Sequence, residues 1–136
     1  MKNLMVLVLL LLVFSPGLTA QEVCDTNLIK LDTLQFRTKL KTEGGILLDV
    51  RTPEEWKTGY IKGAINIDFR SETFYDRIDK LDRSKTYFVY CEVGGRSSLA
   101  AQYMLTHGFC KVYTLHHGMK MWKEAGYPVV VPSKPK

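Results

Sequence analysis

Between residues 28 and 131, short apolar runs alternate with stretches of helical spacing, and few folds accommodate that alternation. The runs are Leu28-Ile29-Lys30-Leu31, Ile46-Leu47-Leu48-Asp49-Val50, Ala64-Ile65-Asn66-Ile67, Tyr87-Phe88-Val89-Tyr90 and residues 111–115. Each has the length of a strand, and together they predict five strands. Between the first two, Asp32 or Thr33 can cap a helix whose face carries Leu34, Phe36 and Leu40, with Gly44-Gly45 stopping it. Thr52-Pro53-Glu54-Glu55 is a helix start, with a capping hydroxyl, proline at the first position and glutamates in the first turn. Further helices are predicted over residues 71–81, 98–107 (Gly108 lies just past the end) and 119–125. Strands alternating with helices predict an α/β layered sandwich around a largely parallel sheet. No repeat, linker or low-complexity stretch interrupts the pattern, so residues 21–131 read as one domain and 132–136 as a tail.

The first 20 residues read differently. Lys2 gives a basic start, residues 4–14 are an unbroken apolar run, and Ser15-Pro16-Gly17 precedes Thr19-Ala20. That is the three-part pattern of a secretory signal peptide cleaved after Ala20. The run is too short to span a bilayer as a helix, so no stable membrane insertion is expected after cleavage. The expected location is periplasmic or extracellular. Net charge is +5, of which Lys2 contributes one unit. No dense Lys/Arg tract with interleaved aromatics occurs, which argues against a nucleic-acid partner. Small anionic substrates suit such a surface.

The chemistry concentrates at Cys91-Glu92-Val93-Gly94-Gly95-Arg96-Ser97, directly after an apolar run and directly before a helix. A loop with two glycines can turn its backbone N–H groups toward the sulfur, and the positive end of the helix dipole lies close. Both favour the thiolate, which is the nucleophile. Ligands of parallel α/β sheets bind beyond the carboxyl ends of the strands, where this loop falls. Glu92, Val93, Gly94, Gly95, Arg96 and Ser97 are therefore candidate substrate-binding positions, with Cys91 catalytic. The guanidinium of Arg96 either forks onto an anion or braces the loop against Glu54, Glu55 or Asp49. Asp49, Arg51 and Glu54 are expected to organise the loop, since charges at strand ends are usually paired. The carboxylate of Glu92 at the rim is expected to oppose a dianionic donor. Cys24, Cys91 and Cys110 make an odd number, the pattern of one pair plus one free thiol in an exported protein. If Cys91 reacts, Cys24 and Cys110 are the candidates to pair. His116 and His117 are adjacent and cannot chelate from one strand face, so no metal site is expected.

These blocks resemble the single-domain rhodaneses, a sulfurtransferase family. Asp49-Val50-Arg51-Thr52-Pro53-Glu54-Glu55-Trp56, continuing through Gly59-Tyr60-Ile61-Lys62-Gly63-Ala64-Ile65-Asn66-Ile67, is similar to the family's first signature. Tyr90 to Ser97 is similar to its active-site loop, and Gly108-Phe109, Val112, Leu115, Gly118, Trp122 and Gly126-Tyr127-Pro128-Val129 to its closing segment. The resemblance implies a three-layer α/β/α fold and transfer of sulfane sulfur through a Cys91 persulfide, with no cofactor. The donor would be thiosulfate or another persulfide, the acceptor a thiol or a protein. An alternative is a persulfide carrier or docking module with little small-molecule turnover. Phosphatases sharing the fold carry one more residue between cysteine and arginine, so the loop from Cys91 to Arg96 favours sulfur transfer. Thiol–disulfide exchange lacks a resolving cysteine beside Cys91. The family's first and fifth strands are parallel neighbours, which would place Cys24 and Cys110 at one sheet edge, far from the loop. Two departures stand out: Tyr60 replaces a common histidine, and His117-Gly118 replaces a common Gly-Gly, which would reshape a wall beside the pocket.

Overall fold

The computed structural model describes residues 23–133. The expected signal peptide of residues 1–20 lies outside the described residues, as do the last three positions of the tail. Ten elements follow in strict alternation: β1 (Ile29–Leu31), α1 (Thr33–Glu43), β2 (Ile46–Asp49), α2 (Pro53–Lys57), β3 (Ile65–Asn66), α3 (Phe74–Asp79), β4 (Thr86–Tyr90), α4 (Gly95–Thr106), β5 (Lys111–Leu115) and α5 (Gly118–Glu124). The strands form one sheet in the order β1-β5-β4-β2-β3, and every pair is parallel.

Side chains of a strand alternate between faces, and β4 shows what that requires of a central strand. Tyr87 and Val89 pack into one apolar cluster, with Phe74, Ile78, Ala100, Met104 and Phe109. Phe88 and Tyr90 pack into a second, with Phe36, Leu115, Met119 and Trp122. Both faces of the sheet are thus covered, by α3 and α4 on one side and α1 and α5 on the other. This is the three-layer sandwich that the resemblance implied.

Local chemistry sets most boundaries. Asp32, not Thr33, caps α1: its carboxylate accepts the Gln35 N–H at 2.8 Å, and the Gln35 side chain accepts the Asp32 N–H. Thr52 and Glu55 form the same reciprocal box at α2. The third helix is shorter than the predicted 71–81. Asp68 and Ser71 draw the backbone into turns by accepting the N–H groups of Arg70 and Thr73. At the far end Leu81 bonds back to Ile78, a tighter i→i+3 closure. In the opposite sense α4 begins three residues before the predicted Ser98. Gly94 takes φ 101° and turns the loop directly into the helix, so Gly95, Arg96 and Ser97 form its first turn. The chain past α5 closes back onto the domain: Tyr60 and Val130 exchange backbone hydrogen bonds at 2.9 and 2.8 Å.

Cys24 and Cys110 precede the two parallel neighbours β1 and β5 and are joined as a disulfide, with Cα atoms 4.7 Å apart. That junction lies at the amino end of the sheet. Cys91, the free cysteine, follows the central strand at the carboxyl end.

Candidate active site

Strand β4 is buried from Tyr87 onward and delivers Cys91 to the sheet's carboxyl end still 1 % exposed. There the chain must reverse, and Gly94 supplies the left-handed residue that does it. The turn brings the Gly94 N–H to 3.1 Å from Cys91 Sγ. The hydroxyl of buried Ser97 stands 3.5 Å from the same sulfur and also bonds the Gly94 carbonyl at 3.2 Å. A thiol can donate to Ser97 Oγ; an ionised sulfur cannot, so the hydroxyl must then turn and donate to it. Among the described residues Gly94 provides the one backbone amide bonded to the sulfur. The amides of Val93, Gly95, Arg96 and Ser97 bond no protein acceptor among these residues. The convergence expected of the whole loop is narrower at Sγ itself.

The loop is clamped from behind by α5. Met119 N–H donates to the Cys91 carbonyl at 2.8 Å, and Lys120 N–H to the Glu92 carbonyl at 3.0 Å. So close an approach needs Gly118. At φ 61°, a Cβ there would meet the Cys91 carbonyl oxygen and lie 2.6 Å from that of Glu92. On the other side, fully buried Arg51 grips Asp49 with two nitrogens, at 3.0 and 2.7 Å, and donates to the Gly59 carbonyl at 2.8 Å. Its remaining nitrogen reaches Glu92 in the loop at 3.1 Å. Burial works against the Arg51 charge, but the hydrogen bond and charge of Asp49 outweigh it and hold the guanidinium firmly protonated. Burial, then the nearby Asp49 carboxylate, pushes the Tyr90 phenol well up. It stays neutral and accepts the Ile61 N–H at 3.1 Å.

Comparison with known proteins decides the family. The profile of the rhodanese-like domain matches residues 32–125. A thiosulfate sulfurtransferase GlpE of Pseudomonas entomophila is 34 % identical over 89 residues, covering 65 % of this chain and 79 % of that protein. The crystal structure of a rhodanese-related protein from Thermoplasma volcanium matches with a TM-score of 0.65 at 31 % identity, covering 76 % of this chain and 99 % of the other. A polysulfide-sulfur transferase from Wolinella succinogenes, a homodimer in solution, matches at 0.64 and 27 % identity, covering 78 % and 80 %. The chain belongs to the rhodanese-like family.

Within this rhodanese-like domain the expected loop residues do not all play the expected parts. Arg96 does not present its fork to an open pocket: Nη1 and Nη2 bond the two Glu55 oxygens, both at 2.7 Å. That pairing holds the Glu55 carboxyl down to about 2. The Glu55 hydrogen bond outweighs burial and keeps the Arg96 guanidinium firmly charged, with the Cys91 side chain a smaller contribution. Glu54, expected to organise the loop, is exposed and forms no ion pair among the described residues. The reason is helical phase. Glu55 is the capping-box residue, turned back over the start of α2 and toward Arg96, whereas Glu54 faces solvent. Glu92 does not stand as an unbalanced rim charge either, because Arg51 meets it.

Three positioning residues of the rhodanese-like domain escaped the sequence reading. Asn66 donates to the Asp49 and Arg51 carbonyls at 3.0 and 2.8 Å, Gly59 offers its carbonyl to Arg51, and Gly118 admits the loop. Asn66 and Gly59 act through tertiary proximity, and Gly118 was expected only to shape a wall beside the pocket. Trp122 is buried in the core, and Trp56 stacks on Tyr60 at 3.7 Å between ring centres.

Proposed function

We propose that this chain is a sulfurtransferase that carries sulfane sulfur on Cys91. The observation that supports it most is the free cysteine at the carboxyl end of the central strand, with the Gly94 N–H and the Ser97 hydroxyl at its sulfur. In the first step the Cys91 thiolate attacks the outer sulfur of thiosulfate. A new S–S bond forms, the donor's S–S bond breaks, and its electron pair leaves with sulfite. In the second step an acceptor nucleophile takes the outer sulfur and returns the electron pair to Cys91. The intermediate divides one difficult transfer into two displacements. The unpartnered amides of Val93, Gly95 and Arg96 are available to an anionic outer sulfur one bond beyond Sγ, as preset donors. Arg96, held by Glu55, serves as a fixed positive charge near the loop rather than as a movable clamp.

The proposed location is outside the cytoplasm. Lys2, the apolar residues 4–14 and the small residue Ala20 support it, and so does the Cys24–Cys110 disulfide, which persists in oxidising compartments. Amino-terminal sequencing of the processed protein should begin at Gln21.

Incubation with thiosulfate followed by intact mass measurement tests the chemistry. The wild-type protein should gain about 32 Da, one sulfur atom, and Cys91→Ser should gain nothing. Absence of the gain in wild type, or its presence in the variant, ends the reading.

A further inference from the structure

The rim around the Cys91 loop continues into two shallow depressions that share Val93 and His117. One, of about 360 Å³, is lined by Lys30, Ser98 and His116 with the loop glycines. The other, of about 310 Å³, is lined by Lys120, Met121 and Glu124. Lys30 comes from the edge strand β1 and Lys120 from α5, so the fold brings two distant lysines to opposite sides of one loop. Both are exposed, and neither has an acidic partner within 4 Å among the described residues. Among the described residues, Glu124 is the one acidic side chain lining either depression.

The two depressions also offer apolar, adaptable surface. Val93 is 62 % exposed and Met121 is 37 % exposed, and a thioether side chain repacks readily against a partner. The dividing wall is His117, the only non-glycine residue with positive φ among those described, its ring 3.7 Å from that of His116. A left-handed non-glycine residue costs about 1–2 kcal/mol, so the backbone carries an imidazole here where glycine would sit without strain.

We propose that this surface docks an acidic segment of a partner protein, which presents its own cysteine thiol to the persulfide on Cys91. The inference takes from the sulfurtransferase reading only what is transferred. A small thiol could reach the loop without meeting Lys30 or Lys120. A peptide strand running from one depression into the other would meet both lysines, with apolar contact at the shared Val93 and at Met121. Charge complementarity of this kind steers association and rejects basic partners. The transfer is balanced: the partner thiolate attacks the outer sulfur, a sulfur–sulfur bond forms on the partner, and the bond to Cys91 Sγ breaks. The electron pair returns to Cys91 as thiolate, and the partner leaves as a persulfide.

The test uses two short peptides, each with one cysteine, flanked in one by aspartate and glutamate and in the other by lysine. Binding is read by fluorescence anisotropy on unloaded protein, with the cysteine replaced by serine. The acidic peptide should bind at least about tenfold tighter at low salt, and the gap should shrink as salt is added. The double variant Lys30→Glu/Lys120→Glu should reverse the order, which also reports that the variant is folded. Equal binding of the two peptides by the native protein, or a preference that survives the reversal, overturns the docking surface. Capture by anionic phospholipid vesicles without any preference between the peptides assigns the lysines to a membrane surface and equally overturns it. If the acidic peptide binds but thiosulfate never loads Cys91, the surface stands and the sulfurtransferase reading falls.

Discussion

At the amino end of the sheet Cys24 and Cys110 are joined covalently ahead of β1 and β5. At the carboxyl end Cys91 stands unpaired, with one amide and one hydroxyl at its sulfur. The same side chain is used in opposite ways within one small domain, and neighbouring strands explain the difference. Two adjacent parallel strands each bring a cysteine to the amino edge, so the sulfurs meet. At the other edge Cys91 has no second cysteine beside it. Its surroundings are held by backbone bonds from α5 and by the ion pairs of Arg51 and Arg96. One end is a covalent staple; the other keeps a sulfur free while fixing everything around it.

Substitutions at the two ends should therefore fail in different currencies. Arg51→Met leaves Asp49 buried without its partner, which should cost about 3–5 kcal/mol in denaturant unfolding and also loosen the Glu92 side of the loop. An unchanged midpoint would mean that the buried pair does not hold this end. The double variant Cys24→Ser/Cys110→Ser opens a link between residues 86 positions apart. It should lose about 4 kcal/mol by chain entropy while still accepting sulfur at Cys91. If sulfur loading fell in step with stability, the two ends would not be independent.

Smaller effects sharpen the contrast at the carboxyl end. Ser97→Ala removes the one hydroxyl at the sulfur and should slow persulfide formation about tenfold, the value of one modest hydrogen bond, with little change in unfolding. A rate equal to wild type would leave the Gly94 amide as the sole donor that matters. The smallest effect concerns acid. Glu55 is held down to about 2 by Arg96, below its unfolded value, so its pairing stabilises the fold above the ordinary carboxylate range of about 4. That stabilisation is lost as pH falls toward 2. Glu55→Gln should remove it, giving a shallower fall in stability over that window than wild type shows. The group is partly exposed, so the difference will be small.

How much of this was legible in the residues follows from the range of the forces involved. The alternation of apolar runs and helices gave the sandwich, because strand burial and capping are written in neighbouring positions such as Thr52, Pro53 and Glu55. The free cysteine and its glycine loop were equally local. The start of α4 was placed late because Gly94 can turn a chain with no further loop residue, and Gly95 to Ser97 resemble loop as much as helix. The Glu92 partner of Arg51 was hidden for another reason. Glu92 lies 41 positions from Arg51, and only the fold brings the two together; Glu55, equally far from Arg96, was one of three braces left open. Glu54, expected beside Asp49 and Arg51 as a loop organiser, faces solvent, and of the three braces open to Arg96 the capping box selects Glu55.

Peptide mapping by mass spectrometry after thiosulfate treatment, without reductant, tests the division between the two ends most directly. The account predicts one labile extra sulfur on the peptide containing residue 91, and a separate linked pair of peptides containing residues 24 and 110. Extra sulfur on either of those two peptides, or a disulfide that includes Cys91, would contradict it.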